Sequence, residues 1–452
     1  MADLIADTHH HPCYDQEAHH FFARMHVAVA PKCNIQCKYC NRKYDCVNES
    51  RPGVTSELLT PEAASQKVLA VGSLMKNVTV VGIAGPGDPL ANPENTFRTF
   101  SLLRKQAPDM QLCLSTNGLV LNDYIDEISQ LKINHVTITV NAVDPHISEE
   151  IYQFVRWRNK TLHGLEAAER LLQNQLEGIE KLIQRGILVK INSVLIPDVN
   201  DRHMVEISKQ MKSMGVFVHN IMPLLIADGS IYHKAGRAPA SPALLAEVQR
   251  QSQPEAPLMR HCRQCRADAV GTLGQDRNID LTEERLATLA QSYSIEERAQ
   301  ALANIDEKVA NRKRIIEGQG LNAKLRQMTD LSPFFAAVAS SGKGMINEHF
   351  GHAKEFQIYE ISQNGIHYMT TRKIDPFCSE TESCVDEERL MNIAKSLQDC
   401  KYLVCQNIGN EPKLFFESKQ IKTITTQGLI EQELFRLAEK ERELDLMENP
   451  QR

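Results

Sequence analysis

The stretch PKCNIQCKYCNRKYDC, residues 31–46, places four cysteines close together directly after the apolar run MHVAVA, residues 25–30. Cys33, Cys37 and Cys40 are spaced C-x3-C-x2-C, with Tyr39 before the last, and Cys46 follows six residues on. An iron–sulfur cube held by three thiolates keeps one iron open to a small molecule. A closed structural zinc site takes four ligands, and Cys46 would then be the fourth.

The order of apolar runs sets this loop in a fold. After residues 25–30 come NVTVVGIAG (77–85), QLCLSTNG (111–118), HVTITVNAV (135–143), ILVKINSVLIP (187–197) and VFVHNIMPLL (216–225). Six strands with helical spacers predict a parallel sheet, a partial (βα)6 barrel, whose functional residues sit on loops after the strand C-termini. Thr60 and Pro61 open one spacer helix, read over 61–76, and Gly186 closes another, read over 166–185. Beyond Asp276 the chain turns charged and alanine-rich, which reads as a helical linker over 277–330.

A second α/β unit follows over 331–452. FFAAVASS, EFQIYEI, IHYMTTRKI and KYLVCQNIG read as its strands, and Leu390, Ile393, Ala394 and Leu397 mark a helix. The boundaries expected are an N-terminal extension at 1–24, the barrel at 25–276, the linker, and this last domain.

Composition excludes some functions. Net charge −6 over 452 residues gives no basic field for nucleic acid, and no run of about 18 apolar residues predicts a membrane partner. The start, MADLIADTHHHPCYD, has no apolar signal core, so the expected compartment is the reducing cytoplasm. Twelve cysteines there point to metal or redox chemistry in preference to disulfides.

The cysteine trio and its strand-end position resemble the radical S-adenosylmethionine (SAM) superfamily, in which SAM chelates the open iron. GIAGPGDPL, residues 82–90, puts Gly85, Gly87 and Asp88 where that family has its glycine-rich SAM turn, although such a turn is also an ordinary loop. Ser115, Asn117 and Asn192 fall at strand ends where SAM's ribose or carboxylate would lie, or where they would cap strands. Five further cysteines remain before residue 270: Cys13, Cys46, Cys113, Cys262 and Cys265. Two additional cubes with three protein ligands each need six donors, which these five and one histidine of the cluster His9, His10 and His11 would supply. The C-x2-C of HCRQC suits zinc as well, but outside the trio it has no second pair nearby.

A longer resemblance narrows the choice. HPCYDQEAHHFFARMHVAVAPKCNIQCKYCNRKYDCVNESRPG, AGPGDPLAN, LSTNGL, INSVLIPDVND, PLLIADGS and HCRQCRADAVGTLGQD are similar, in order, to a family of nitrogenase cofactor biosynthesis proteins within the radical SAM superfamily. VASSGKGMINEHFGHAKEFQIYE resembles the NifX-like cofactor-carrier domain of its longer members, with a ribonuclease-H-like fold. The resemblance implies a radical SAM 4Fe-4S cluster on Cys33, Cys37 and Cys40, and two substrate 4Fe-4S clusters on Cys13, Cys46, Cys113, Cys262, Cys265 and a histidine, for which His11 of the HPC triplet is favoured. It implies fusion of those clusters into an eight-iron carbide cluster. One SAM would give its methyl to a cluster sulfide, and another would yield the 5′-deoxyadenosyl radical that takes hydrogen from it. Glu49 would contact a cluster or accept a proton, or is a solvated loop carboxylate. Implied partners are SAM, iron–sulfur cluster donor proteins, and nitrogenase cofactor scaffold or carrier proteins. Cys378, Cys384, Cys400 and Cys405 read as core thiols, and His349 and His352 as loop residues or cluster contacts. A radical SAM enzyme acting on a peptide or small molecule, and a non-catalytic cluster carrier, stay open as alternatives.

Overall fold

Among the described residues, ten strands build the first unit: β1 Ala23–His26, β2 Ile35–Cys37, β3 Val78–Ile83, β4 Gln111–Thr116, β5 His135–Thr139, β6 Tyr152–Trp157, β7 Lys160–Leu162, β8 Leu188–Leu195, β9 Val218–Pro223 and β10 Val270–Gly271. The computed structural model describes residues 8–15, 17–46, 57–262, 264–273, 282–318, 320–328, 330–374, 376–377 and 387–448. Glu49 lies outside them. The chain divides into two compact units, residues 1–306 and 307–452.

The main sheet runs β10-β1-β3-β4-β5-β8-β9. Each of the six expected strands is parallel to its neighbour, and β10 adds an antiparallel edge on β1. β3, β5 and β8 are buried at every position. That is why they read as continuous apolar runs and not as alternation, as in a sheet covered on both faces. Helix Pro61–Leu74 starts where Thr60 accepts the amide of Ala63, and helix Gly164–Gln184 ends before Gly186, at φ +72°.

A three-stranded antiparallel sheet, β2-β6-β7, escaped the sequence reading. β2 is only three residues long and lies inside the cysteine loop, so no periodicity announces it. It pairs Cys37 with Tyr152, and the Lys38 amide donates to Ile151 O at 2.9 Å, which fixes the middle of the trio against β6.

The segment read as a linker is helical at Glu283–Gln291 and Ile295–Gly318, yet its first part is fastened to the barrel. Arg298, 1% exposed, donates to Asp109 at 2.7 Å and to Val78 O at 2.7 Å, and the Tyr293 hydroxyl donates to Asp109 at 2.6 Å. Composition hid this, because one buried arginine does the fastening in a run of charged residues. The boundary between units, after Asp306, falls inside the second of these helices.

In the second unit β11 Phe334–Val338, β12 Met345–Ile346, β13 Glu355–Ser362, β14 Gly365–Lys373, β15 Cys400–Cys405, β16 Lys422–Thr425 and β17 Gly428–Leu429 follow. The sheet order is β14-β13-β11-β15-β16; β13 is antiparallel to both neighbours, and β15 and β16 are parallel to β11. Three antiparallel strands followed by two parallel ones make the ribonuclease-H-like arrangement. Cys400 and Cys405 are buried at the two ends of β15, within the apolar packing of one sheet face. Cys378 and Cys384 lie outside the described residues. His349 caps the short turn Phe350–His352 by accepting the Gly351 amide at 3.0 Å. Among the described residues no helix is long and apolar enough to cross a membrane.

Candidate active site

The cysteine loop is held in place by the turn after β3. The Gly87 amide donates to Ala30 O at 2.6 Å and the Asp88 amide to Lys32 O at 2.8 Å. A Cβ on Gly87 would stand 2.1 Å from Lys32 O, so glycine is required here for the trio's own backbone to approach. The sequence reading gave that space to the ligand; the chain itself fills it. A Cβ on Gly85 would meet Ala267 Cβ at 3.1 Å, and Gly85 lines neither of the cavities below.

Asp88 is buried and accepts from Leu90 N at 2.9 Å, Asn117 N at 2.7 Å and Thr116 Oγ1 at 3.0 Å. Its carboxylate therefore ties the ends of β3 and β4 together. Burial raises the Asp88 pKa, against the pull of those donors. Asn117 in turn donates to Asn34 Oδ1 at 2.7 Å, reaching into the cysteine loop.

Two cavities open at this end of the sheet. The first, about 420 Å³, is lined by Cys33, Cys37, Cys40 and Cys46 together with Gly87, Asp88, Ser115 and Asn117. Thiolates around one zinc ion would stand about 3.8 Å apart, given Zn–S near 2.3 Å. Among the described residues, the sole group with three ligand atoms all within 4.8 Å of one another is His9, His10 and Asp306. The cysteines are thus spread wider than a closed zinc site needs. Burial, then the Asp88 carboxylate, pushes the Cys33 thiol up to about 12. A thiolate there calls for the positive partner that an iron cluster is.

The second cavity, about 610 Å³, brings together His11, Cys13, Cys113, Cys262 and Cys265, from three separate parts of the chain, and Asn192 from a fourth. Cys46, grouped with these by resemblance, lies instead among the trio. Asn192 is here and not beside Ser115 and Asn117 alone; its Oδ1 accepts from Asn220 at 2.9 Å. Ser115 lines both cavities, two residues after Cys113 on the same face of β4, and its buried hydroxyl has no partner among the described residues. Arg24, Lys190 and His26 also line the second cavity, and among the described residues no carboxylate does. In a wall of thiols without carboxylates, the cations can balance the negative charge of ligating thiolates.

The three histidines separate by their contacts. His9 and His10 turn to Asp306, at 3.3 and 2.8 Å. His11 is buried, its Nδ1 accepts the Cys13 amide at 3.2 Å, and its buried Nε2 has no partner among the described residues. Burial, then His135, holds its pKa well below the usual histidine value, so a neutral imidazole able to bind metal faces the thiols. Unpartnered Nε2 of His11 and Oγ of Ser115 are what a cluster and SAM would satisfy. The sequence reading missed Arg24 and Lys190. Their one signal was a charge inside an otherwise buried strand.

The model of the radical SAM superfamily matches residues 27–211, and that of the dinitrogenase iron-molybdenum cofactor family matches 333–440. A methylornithine synthase structure is similar at 13% identity over 57% of this chain and 68% of that one, with TM-score 0.38, too slight a likeness to argue from. Three relatives are each called FeMo cofactor biosynthesis protein NifB. That of Herbaspirillum seropedicae is 48% identical over 409 residues, 89% of this chain and 77% of the relative. That of Azotobacter vinelandii is 46% identical over 91% of this chain and 83% of the relative, and that of Frankia alni 44% over 95% and 87%. By identity and coverage alike, with the radical SAM and cofactor-domain matches in the same order, the chain belongs to the NifB family of radical SAM proteins of FeMo cofactor biosynthesis.

Proposed function

We propose that this chain joins two 4Fe-4S substrate clusters, a SAM-derived carbon and one sulfide into the 8Fe-9S-C precursor of the nitrogenase iron-molybdenum cofactor. Eight irons and eight sulfurs come from the two cubes, the ninth sulfur from the sulfide and the carbon from a SAM methyl group. The observation that supports this reading is the pair of adjoining cavities, one lined by the trio and the other by five more soft donors, with Ser115 on the wall of both.

Cys33, Cys37 and Cys40 would hold the radical SAM cluster, which supplies an open iron for SAM and the electron that cleaves it. Asn117 and Ser115 offer hydrogen bonds to SAM, while Gly85, Gly87 and Asp88 shape and hold the turn beneath it. Cys13, Cys113, Cys262, Cys265 and His11 hold the substrate clusters, with Cys46 reaching from the first cavity and Asn192 at the second. Arg24 and Lys190 would offset the negative charge of the thiolates that hold the substrates. Buried Tyr39 and Tyr152, both hydrogen-bonded to Asn141 at 2.8 and 3.1 Å, close the back of the trio against water. Glu49 remains our candidate for cluster contact or proton removal.

We assign the second unit to holding or passing on the product, with cluster donor proteins and cofactor scaffold or carrier proteins as partners. A cytoplasmic setting accords with ten described cysteines that form no disulfide. Replacing Cys262 and Cys265 together by alanine tests the assignment. Iron should fall by about four per chain, as one cube loses its ligands, while deoxyadenosine formation persists and the eight-iron product disappears. Full iron content with product still formed would return the pair to a structural role.

A further inference from the structure

We propose that His9, His10 and Asp306 bind one divalent cation of the zinc, iron(II) or cobalt(II) class, at a site outside both thiol-lined cavities. Their ligand atoms lie within 4.8 Å of one another. Both imidazoles present Nε2 to the same carboxylate oxygen, Oδ1 of Asp306, His10 at 2.8 Å and His9 at 3.3 Å. Two imidazoles and one carboxylate converging on a point are the donor set that borderline divalent metals take, with water completing the shell.

The donors are gathered by contacts other than their own. The His10 ring packs on Phe22 with centroids 4.6 Å apart, and the His9 ring lies tilted against it at 5.1 Å. The Thr79 hydroxyl donates to His10 O at 2.6 Å, and the His11 amide closes the turn on Thr8 O at 2.8 Å. Little ordering is then left for an ion to impose. Side-chain exposures of 45%, 29% and 34% leave water a route to the remaining coordination positions. A hydrogen bond from one imidazole would serve Asp306 alone. The second, on a half-exposed side chain, adds little as an ion pair, whereas it is needed for a chelate. Ligation uses each neutral ring as its Nδ1–H tautomer, a shift of one proton within the imidazole.

The residues also have a position that matters. His9 and His10 immediately precede His11 and Cys13 of the second cavity, and Asp306 belongs to helix Ile295–Gly318. An ion here would sit beside that segment without being needed to order it. The site stands on its own geometry and does not depend on the cluster assignment.

The test uses the full chain, anaerobically loaded with its iron–sulfur clusters, equilibrated with zinc sulfate and desalted. Zinc and iron are counted per chain, and zinc X-ray absorption reports the ligand atoms. Wild type should keep one zinc with a nitrogen and oxygen shell. Asp306→Asn and His9→Gln should each weaken zinc binding at least tenfold, with iron content and deoxyadenosine formation unchanged. No zinc uptake by wild type, equal uptake by both variants, a sulfur-containing zinc shell, or loss of iron in Asp306→Asn would each overturn the proposal.

Discussion

Arg24, with no solvent exposure, points its Nε at the sulfur of Cys265 at 3.2 Å while its Nη1 donates to Gly271 O at 2.6 Å. A fixed positive charge is therefore set against one of the two cysteines of the C-x2-C pair. Groups that hydrogen-bond a ligating sulfur tune the potential of the cluster it holds. Arg24→Gln should make the cluster proposed for Cys262 and Cys265 harder to reduce, moving its midpoint potential to more negative values, and Arg24→Lys should recover part of the shift. Redox titration followed by electron paramagnetic resonance reads this. An unchanged potential in folded, iron-loaded Arg24→Gln would remove the electrostatic role.

Gly87→Ala should disturb the cysteine loop more than Gly85→Ala does. The first places a Cβ 2.1 Å from backbone oxygen of Lys32; the second meets only a side-chain methyl at 3.1 Å. Overpacking of this kind costs about 1–3 kcal/mol, and here it falls directly before Cys33. The expected result is a lower melting temperature and reduced SAM affinity for Gly87→Ala, with Gly85→Ala near wild type. SAM affinity by equilibrium dialysis decides it, and equal effects of the two substitutions would contradict the account.

His219 predicts acid sensitivity of the barrel. Its Nδ1 faces Ser208 Oγ at 2.8 Å and its Nε2 faces Ser193 Oγ at 2.9 Å, and burial lowers its pKa to about 3. The unfolded chain, titrating near 6.5, takes up this proton first as pH falls. The stabilisation is therefore complete above about pH 6.5 and is lost progressively towards pH 3, by about 2 kcal/mol at pH 5. Thermal unfolding from pH 7.5 to 5 should show a shallower pH slope in His219→Gln than in wild type, whatever the offset between them. Parallel slopes would show that His219 titrates normally.

The six parallel strands were legible because burial on both faces leaves continuous apolar runs, and the trio because its spacing is local. What the sequence concealed depends on distance or on single residues. His9 and His10 are drawn away from the His11 cavity by Asp306, 296 positions away from His10. Cys46 is near the trio in sequence and in space, so its local position was the better guide to its cavity than its grouping with distant cysteines. Arg298 and Arg24 are buried charges whose carbonyl and sulfur partners no periodicity displays. Gly87 was read as a ligand contact, since the need for a glycine shows in sequence but the backbone that needs it does not.

The central claim is that carbon from SAM enters a cluster held by this chain. Anaerobically reconstituted protein is incubated with dithionite, sulfide and SAM carrying a carbon-13 methyl group, and the cluster product is extracted and examined for the label by electron–nuclear double resonance and by mass analysis after acid quenching. The account predicts carbon-13 within an eight-iron cluster, one per product, and none when Cys262 and Cys265 are both replaced by alanine. Label recovered in a peptide or small organic molecule, with the clusters left as separate four-iron units, would contradict it.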